Sequence, residues 1–145
     1  MDIRLSESNL TDDFNQIVAS DEGKKWSLQR PEPLVVRASM APLSAPTEVY
    51  YPQFRWASYP DQPPSMKFWD AASTTLTVPT AWPIIRGFRP QSLDACVNYC
   101  TEGFRLHPEW VKDSSLKWDS RANVLLKVLR ILQDEFDEYY GGRFK

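Results

Sequence analysis

The chain has 145 residues, which is the size of one domain with a core of its own. Its net charge is −2 and its pI is near 5.4. It contains neither a basic stripe nor an apolar run of about 18 residues, so the sequence argues against a nucleic-acid partner and predicts no membrane span. Residues 1–7 lack the basic start and apolar stretch of a secretory signal, which predicts a cytoplasmic location. Aromatic residues make up 13% of the chain and there are 12 Pro, a composition typical of long ordered loops held by rings.

The first predicted elements are a short helix and a run of strands. Leu10, Phe14 and Ile17 recur at helical spacing and predict a helix over residues 9–20, which the polar segment 21–25 ends. Short β-branched or alternating stretches predict four strands, at residues 26–29, 34–40, 48–57 and 65–69. In the third of these strands, Tyr50, Phe54 and Trp56 are expected to share one face, and Gln53 and Arg55 the other.

The second half of the chain combines long irregular segments with one strong helix. Residues 71–90 and 96–118 show no clean period, and connections of this length in a compact domain are usually functional. A helix is predicted over residues 120–140, started by Asp119 or Ser120 and ended by a left-handed Gly141. Six residues form its apolar face: Val124, Leu125, Val128, Leu129, Leu132 and Phe136.

This order of elements predicts a single α+β domain over residues 1–145. Its expected architecture is an antiparallel sheet of about four strands, with an N-terminal helix and a long C-terminal helix packed on it.

The turn before the fourth strand carries the most specific motif. Residues 59–68 have the sequence YPDQPPSMKF, in which each Pro fixes its own φ and biases the residue before it to an extended form. Met66 and Phe68 fall on one side of the strand, toward the core. The pattern Y-P-x-x-P-P-x-apolar-x-F resembles the signature of ubiquitin-conjugating enzymes, where it follows the third strand and opens the fourth, as it does here. The alternative is a plain proline-braced hairpin.

The resemblance covers residues 26–140 and implies a ubiquitin-conjugating-enzyme-like (UBC-like) fold. In that family the catalytic cysteine lies in an irregular segment and precedes an apolar residue and a short polar one, and the sequence at 96–98, Cys-Val-Asn, is similar. In the same family a Trp then precedes a small residue and the helix that packs behind the sheet. The sequence at 118–120, Trp-Asp-Ser, and the predicted helix after it are similar.

The chain also departs from the family pattern. The family's His-Pro-Asn triplet is absent before Cys96, and the His-Pro pair of this chain, His107-Pro108, follows it. Cys96 lies 28 positions after Phe68, a longer spacing than is typical of eukaryotic members. These departures indicate a divergent bacterial relative. By analogy, such relatives are encoded beside an activating enzyme, a ubiquitin-like protein and a peptidase, in operons linked to phage defence.

The resemblance implies a cysteine that carries a ubiquitin-like protein as a thioester. Cys96 is the expected nucleophile, and Cys100 is either the alternative nucleophile or a buried structural thiol. Asn98 is a candidate donor to the oxyanion or a loop cap. The single His, His107, is a candidate base, a donor to the thioester oxygen, or a brace of the loop.

Neither a metal nor another cofactor is expected. Two cysteines spaced C-x3-C and one His are too few ligands for a zinc site. In a reducing cytosol the cysteines should be free thiols. Asp94, Glu102 and Asp119 could hold an incoming amine, although acidic loop residues are usually only solvated. Trp110 and Trp118 are expected in the core.

The implied function is that of a conjugating enzyme, a transferase. Its implied partners are an activating enzyme, a ubiquitin-like protein, and a target protein that supplies an amine. Two alternatives stay open: a catalytically inactive relative that only binds a ubiquitin-like protein, and an α+β interaction module in which the proline motif is a coincidence. The sequence identifies neither the cargo nor the target.

Overall fold

The computed structural model describes residues 2–145 as an α+β fold on a four-stranded antiparallel sheet, which confirms the predicted fold class. The sheet is a meander of β1 (Gln29–Glu32), β2 (Val35–Arg37), β3 (Pro52–Arg55) and β4 (Ser65–Phe68). The helices are α1 (Ile3–Val18), α2 (Asp21–Lys24), α3 (Thr101–Leu106) and α4 (Val124–Tyr139). A separate hairpin of β5 (Phe88–Arg89) and β6 (Asp94–Ala95) precedes α3. Within residues 2–145, no helix combines the length and apolarity that crossing a membrane requires.

The ends of the two long helices differ from the prediction because other side chains cap them. α1 begins at Ile3 rather than at residue 9, since the Asp2 carboxylate accepts a hydrogen bond from the Arg4 amide at 2.9 Å. α4 begins after Asn123, whose side chain accepts from the Leu126 amide at 3.0 Å. The predicted starts at Asp119 or Ser120 were therefore wrong.

The predicted left-handed Gly141 was also wrong. The Gly141 amide donates to the Ile84 carbonyl at 2.8 Å, and the left-handed residue is Gly142, with a φ of 105°. The chain after α4 thus continues as an extended segment paired with residues 82–84. A long-range pairing of this kind leaves no local signal in the sequence.

The core lies between the sheet and the two long helices. All six residues predicted on the apolar face of α4 are buried, with at most 1% of each exposed. The aromatic residues of the predicted third strand and both apolar residues of the fourth are buried as well: Tyr50, Phe54, Trp56, Met66 and Phe68. Burying a large apolar side chain contributes about 1.5–3 kcal/mol, so this core accounts for the main part of the fold's stability.

The first strand lies later in the chain than predicted. Residues 26–29 were expected to form it, but β1 covers Gln29–Glu32. Trp26 instead lies in the turn after α2, where its ring is buried and its indole N–H donates to Gln133 of α4 at 3.0 Å. An aromatic residue that favours strands locally is here placed by tertiary packing.

The proline turn at residues 59–64 joins the sheet to both long helices. The Tyr59 hydroxyl donates to Asp13 of α1 and accepts from the Leu125 amide of α4 at 3.0 Å. The Tyr59 amide donates to the Ser6 hydroxyl at 3.1 Å. Burial raises the pKa of Tyr59, and the hydrogen bond to Asp13 acts in the same direction, so the phenol stays neutral and serves as a structural link.

Candidate functional site

The β5–β6 hairpin carries Cys96 at its end. Phe88 pairs with Ala95, and Arg89 pairs with Asp94 through both backbone register and an ion pair at 2.8 Å. The hairpin is attached to the main sheet because the Lys67 ammonium of β4 donates to the Leu93 carbonyl at 2.6 Å. The irregular segments predicted from the sequence therefore contain a short ordered element that fixes where the cysteine lies.

Gly87 lets the backbone of Cys96 approach closely. The Cys96 amide donates to the Gly87 carbonyl at 2.7 Å. Gly87 has a φ of 89°, and a Cβ on it would lie 3.1 Å from the Cys96 carbonyl oxygen. A side chain at this position would be strained and crowded, so glycine leaves the backbone beside Cys96 uncovered.

Helix α3 fixes the other side of the same segment. A Cβ on Gly103 would lie only 1.9 Å from the Val97 carbonyl oxygen, so the helix packs directly on the backbone that follows Cys96. Two glycines therefore allow the close contacts that fix the position of Cys96. Gly87 lies immediately before β5, and Gly103 lies in α3.

The proline turn anchors α3. The Thr101 amide donates to the Pro64 carbonyl at 2.8 Å, and the Thr101 hydroxyl donates to the Pro63 carbonyl at 2.8 Å. The buried Glu102 carboxylate accepts from the Ser65 hydroxyl at 2.6 Å and from the Met66 amide at 3.3 Å. The motif that was most specific in the sequence therefore supports the segment that carries the cysteines.

Cys96 is half-buried and lines an open cavity of about 590 Å³. Residues 85–87 and 96–99 form one side of the cavity, and one face of α4 forms the other. The wall is mainly apolar, with few polar groups, and consists of Ile85, Arg86, Gly87, Cys96, Val97, Asn98, Tyr99, Trp110, Leu116, Ile131, Glu135 and Tyr139. Concave apolar sites with a few polar groups are the usual form of a binding site.

Cys100 is placed very differently. Its side chain is completely buried, and burial raises the pKa of its thiol well above the ordinary value, with Glu102 and Glu135 acting in the same direction. The thiolate is the nucleophilic form of cysteine. In this structure Cys100 is a structural thiol, which was one of the two interpretations left open by the sequence.

Asn98 lies on the cavity wall together with Cys96, whereas His107 does not line it. One amide N–H of Asn98 donates to the Leu116 carbonyl at 3.4 Å. The His107 ring pairs with Glu109 at 2.9 Å and stacks on Trp110, with ring centroids 4.5 Å apart. His107 thus braces a wall residue, and the structure does not bring it to the sulfur.

The three acidic residues considered for an amine are engaged elsewhere. Asp94 pairs with Arg89, Asp119 pairs with Arg121, and Glu102 is held by the start of β4. The acid on the cavity wall is Glu135, which sequence reasoning missed. Its signal was its position in the helix, four residues from both Ile131 and Tyr139 and therefore on their face.

Neither of the two tryptophans expected in the core is fully buried. Trp110 is half-buried and lines the cavity. Trp118 is half-buried at the edge of the core, and its indole N–H donates to the Pro60 carbonyl at 2.9 Å. Trp118 therefore covers the outside of the proline turn.

Comparisons with family models, with curated proteins and with solved structures found no match to this chain. Within residues 2–145, no group of three or more His, Cys, Asp or Glu side chains is arranged to hold a metal ion. The likeness to ubiquitin-conjugating enzymes therefore rests on the proline motif and on the residues around Cys96.

Proposed function

We propose that the protein is a ubiquitin-conjugating-enzyme-like transferase that carries a ubiquitin-like protein as a thioester on Cys96. The observation that supports this most is the placement of Cys96, which is partly exposed on the wall of an open cavity of about 590 Å³. The other thiol is sealed in the core. A carrier cysteine needs an accessible sulfur beside a groove that can receive an extended tail, and the partial exposure of Cys96 on the cavity wall supports this role.

The proposed reaction has two acyl transfers. The Cys96 thiolate attacks the carbonyl carbon of a thioester held by an activating enzyme, and the carbon–sulfur bond to that enzyme breaks. The cargo is then joined to Cys96 through its C-terminal carbonyl. An amine of the target attacks this carbonyl, the Cys96 thiolate leaves, and the nitrogen loses a proton as the amide forms.

Both steps pass through a tetrahedral oxyanion, which a positioned N–H donor stabilises. An Asn side-chain amide has two N–H groups, and within residues 2–145 only one of those of Asn98 makes a hydrogen bond. The second is available to the oxyanion in the proposed mechanism. Gly87 adds a stretch of backbone without a side chain, which suits the approach of an extended peptide.

The proposal extends to the setting of the reaction. Its partners are an activating enzyme, a ubiquitin-like protein and a target protein, in the cytoplasm of a bacterium and in an operon for antiphage defence. The departures of this chain from the eukaryotic pattern and its two unpaired cysteines support this setting. The genes beside the coding sequence test it, because an activating enzyme and a ubiquitin-like protein should be among them.

The direct test is reconstitution with an activating enzyme, ATP and a ubiquitin-like protein from the same organism. The wild-type protein should gain an adduct that excess thiol removes. The Cys96→Ser variant should give a thiol-resistant oxyester or no adduct, and Cys96→Ala should give none. The Cys100→Ala variant is the matched control and should still be charged.

Two results would contradict the assignment. An adduct that persists in Cys96→Ala and disappears in Cys100→Ala would move the nucleophile to Cys100. Tight binding of the ubiquitin-like protein without any covalent adduct would support the alternative, a catalytically inactive binding module.

A further inference from the structure

Arg37, at the end of β2, is half-buried and has no acidic partner in the described chain. Its hydrogen bonds go to neutral side chains: Nε donates to Gln53 at 3.0 Å and Nη1 donates to Gln29 at 3.5 Å. Burial lowers the pKa of Arg37, and no carboxylate acts in the opposite direction. Other arginines of the chain do form ion pairs with a carboxylate, namely Arg55, Arg89, Arg121, Arg130 and Arg143. A half-buried cation without a counter-charge is costly, so the position of Arg37 calls for an explanation.

The guanidinium group of Arg37 is held in one orientation. Its Cζ lies 3.8 Å from the centre of the Trp69 ring, so the group packs on the indole. The buried Gln53 side chain fixes the Nε end of the group. Within residues 2–145, the Nη2 atom makes no hydrogen bond. Arg37 is therefore a preorganised donor with an open edge, and arginine binds carboxylates and phosphates through such an edge.

Arg37 lines a cavity of about 160 Å³ at one end of the main sheet. The antiparallel order of the strands brings the ends of β2 and β4 to this place, together with the starts of β1 and β3. Ser27, Ser39 and Tyr51 line the same cavity, and their hydroxyl groups make no hydrogen bond within the described chain. The cavity thus combines one cation with three hydroxyl groups that are free to donate.

No acid compensates this charge. Asp70 follows Trp69 in the chain, but it does not line the cavity, and its carboxylate accepts from the Ser73 amide at 2.9 Å. Lys67 of β4 lies on the same face of the sheet as Arg37, and its ammonium donates to a backbone carbonyl rather than to an acid. The charge around the cavity is therefore positive, which attracts an anion.

We propose that this cavity binds a phosphate group, either as free phosphate or as a phosphate monoester. A carboxylate has two oxygens in one plane, whereas the edge of Arg37 and three hydroxyl groups require acceptors in several directions, which a tetrahedral phosphate supplies. Sites for drug-sized ligands span about 300–1,000 Å³, so the smaller cavity suits a single phosphate group. It shares no lining residue with the Cys96 cavity, and the proposal is independent of the transferase activity.

Heteronuclear NMR of the isotope-labelled full chain tests the proposal through the backbone amide signals of Ser27, Gln29 and Ser39. Inorganic phosphate replaces sodium chloride at constant ionic strength, because salt alone screens exposed charges. The wild-type signals should move along a saturating curve as phosphate is added. A shift that chloride reproduces, or one that grows without saturation, would overturn the proposal.

Arg37→Gln removes the charge and should weaken phosphate binding by about tenfold or more, since a charge-assisted hydrogen bond is lost. Arg37→Lys keeps the charge without the planar fork and should bind with intermediate affinity. Arg55→Gln is the matched control, because Arg55 lies on the same face of the sheet but already pairs with Glu32 at 2.7 Å. It should bind phosphate like the wild type, and an equal loss in Arg37→Gln and Arg55→Gln would contradict the site.

Ser39→Ala keeps the proposal testable if Arg37→Gln does not fold. It removes one hydroxyl group from the cavity and should weaken binding by about twofold to tenfold. Unchanged affinity in both Ser39→Ala and a folded Arg37 variant would overturn the assignment.

A second ligand distinguishes the source of the phosphate group. N-acetyl-phosphoserine N-methylamide carries the group on a short peptide unit. Tighter binding of this compound than of inorganic phosphate would assign a phosphorylated protein segment to the cavity, and weaker binding would assign free phosphate. Cys96→Ala should bind phosphate like the wild type, so a failure of the carrier function would leave this proposal intact.

Discussion

Two regions of the molecule, joined by the segment from Cys96 to Leu106, each contain one thiol and one carboxylate. The two regions differ in how far these groups are buried and in the partners that they have. In the turn region, where the segment packs on the proline turn, the Cys100 thiol is sealed and the Glu102 carboxylate accepts from two donors. In the cavity region, the Cys96 thiol is partly exposed and the Glu135 carboxylate has no cation in the described chain. Hydrogen-bonded buried groups specify a fold, whereas a partly exposed thiol and a half-buried carboxylate without a cationic partner mark places where a protein departs from maximal stability for a function.

The sharpest difference between the regions should appear in thiol reactivity. We expect N-ethylmaleimide to label Cys96 in the Cys100→Ala variant at least about 1000-fold faster than it labels Cys100 in the Cys96→Ala variant, because Cys100 reacts only when the core opens. Mass spectrometry of timed samples gives the two rates. Both thiols should react alike in denaturant, which is the control. Similar rates in native buffer would contradict the division into two regions.

The contact between α3 and the cysteine segment should be highly sensitive to a single added methyl group. Gly103→Ala is expected to lower the free energy of unfolding by about 3 kcal/mol or more, since overlap with backbone cannot be relieved by a rotamer change. The Val97 carbonyl oxygen lies 1.9 Å from the position of the new Cβ. Urea denaturation measures the loss.

Gly141→Ala provides the comparison for that variant. Its nearest contact is the Ile84 side chain at 3.2 Å, which can move. The expected loss is about 1 kcal/mol. A Gly103→Ala protein as stable as Gly141→Ala would show that the Cys96 segment is loosely held.

The two carboxylates should respond in opposite directions to the same substitution. Glu102→Leu removes the acceptor for the Ser65 hydroxyl and the Met66 amide and should destabilise the protein by about 1–3 kcal/mol, because buried donors are left unpaired. Glu135→Leu removes a half-buried carboxylate that has no cationic partner in the described chain and should leave stability unchanged or raised at neutral pH. Thermal unfolding of both variants beside the wild type is the measurement. A large destabilisation by Glu135→Leu would mean that this carboxylate is structural.

The smallest expected effect is a pH dependence of the stability difference between Glu135→Leu and the wild type. Burial raises the pKa of Glu135 above its ordinary value of 4.5, although the Tyr99 hydroxyl acts in the opposite direction. The folded protein therefore keeps this proton at pH values where the unfolded chain has lost it. Its contribution to stability is complete below pH 4.5 and is lost as the pH rises through the folded-state pKa.

The stability of Glu135→Leu relative to wild type should therefore increase as the pH rises from 4 to 8. The other titratable groups that line this cavity or interact with the carboxylate are all retained in the variant: Arg86, Cys96, Tyr99, Cys100 and Tyr139. Parallel stability curves for the two proteins would show that the carboxylate has an ordinary pKa.

Sequence reasoning succeeded where the structure depends on a repeated local pattern. The six apolar residues of α4 are buried as their spacing predicted, and Met66 and Phe68 point into the core as alternation predicted. It failed where a distant partner decides. Trp26 was assigned to a strand, but its contact with Gln133 places it in a turn. Gly141 was assigned as a helix cap, but it pairs with Ile84.

The candidate site shows the same limit. The proline motif predicted where the sheet turns, and the residue order around Cys96 favoured that cysteine. The exposure of Cys96 relative to Cys100, the displacement of His107 from the cavity, and the presence of Glu135 on its wall were not predicted. Each depends on how α3 and α4 pack against the hairpin, which no short stretch of sequence encodes.

The sequence by itself determined the α+β class, the core-facing residues of the main strands and of the long helix, and the rigid turn at residues 59–64, because alternation, helical spacing and proline geometry act over a few neighbouring residues. The tertiary structure decided which thiol is accessible and which carboxylate lacks a cationic partner. Burial and pairing are properties of groups far apart in the chain, so they are fixed only when the core closes around them.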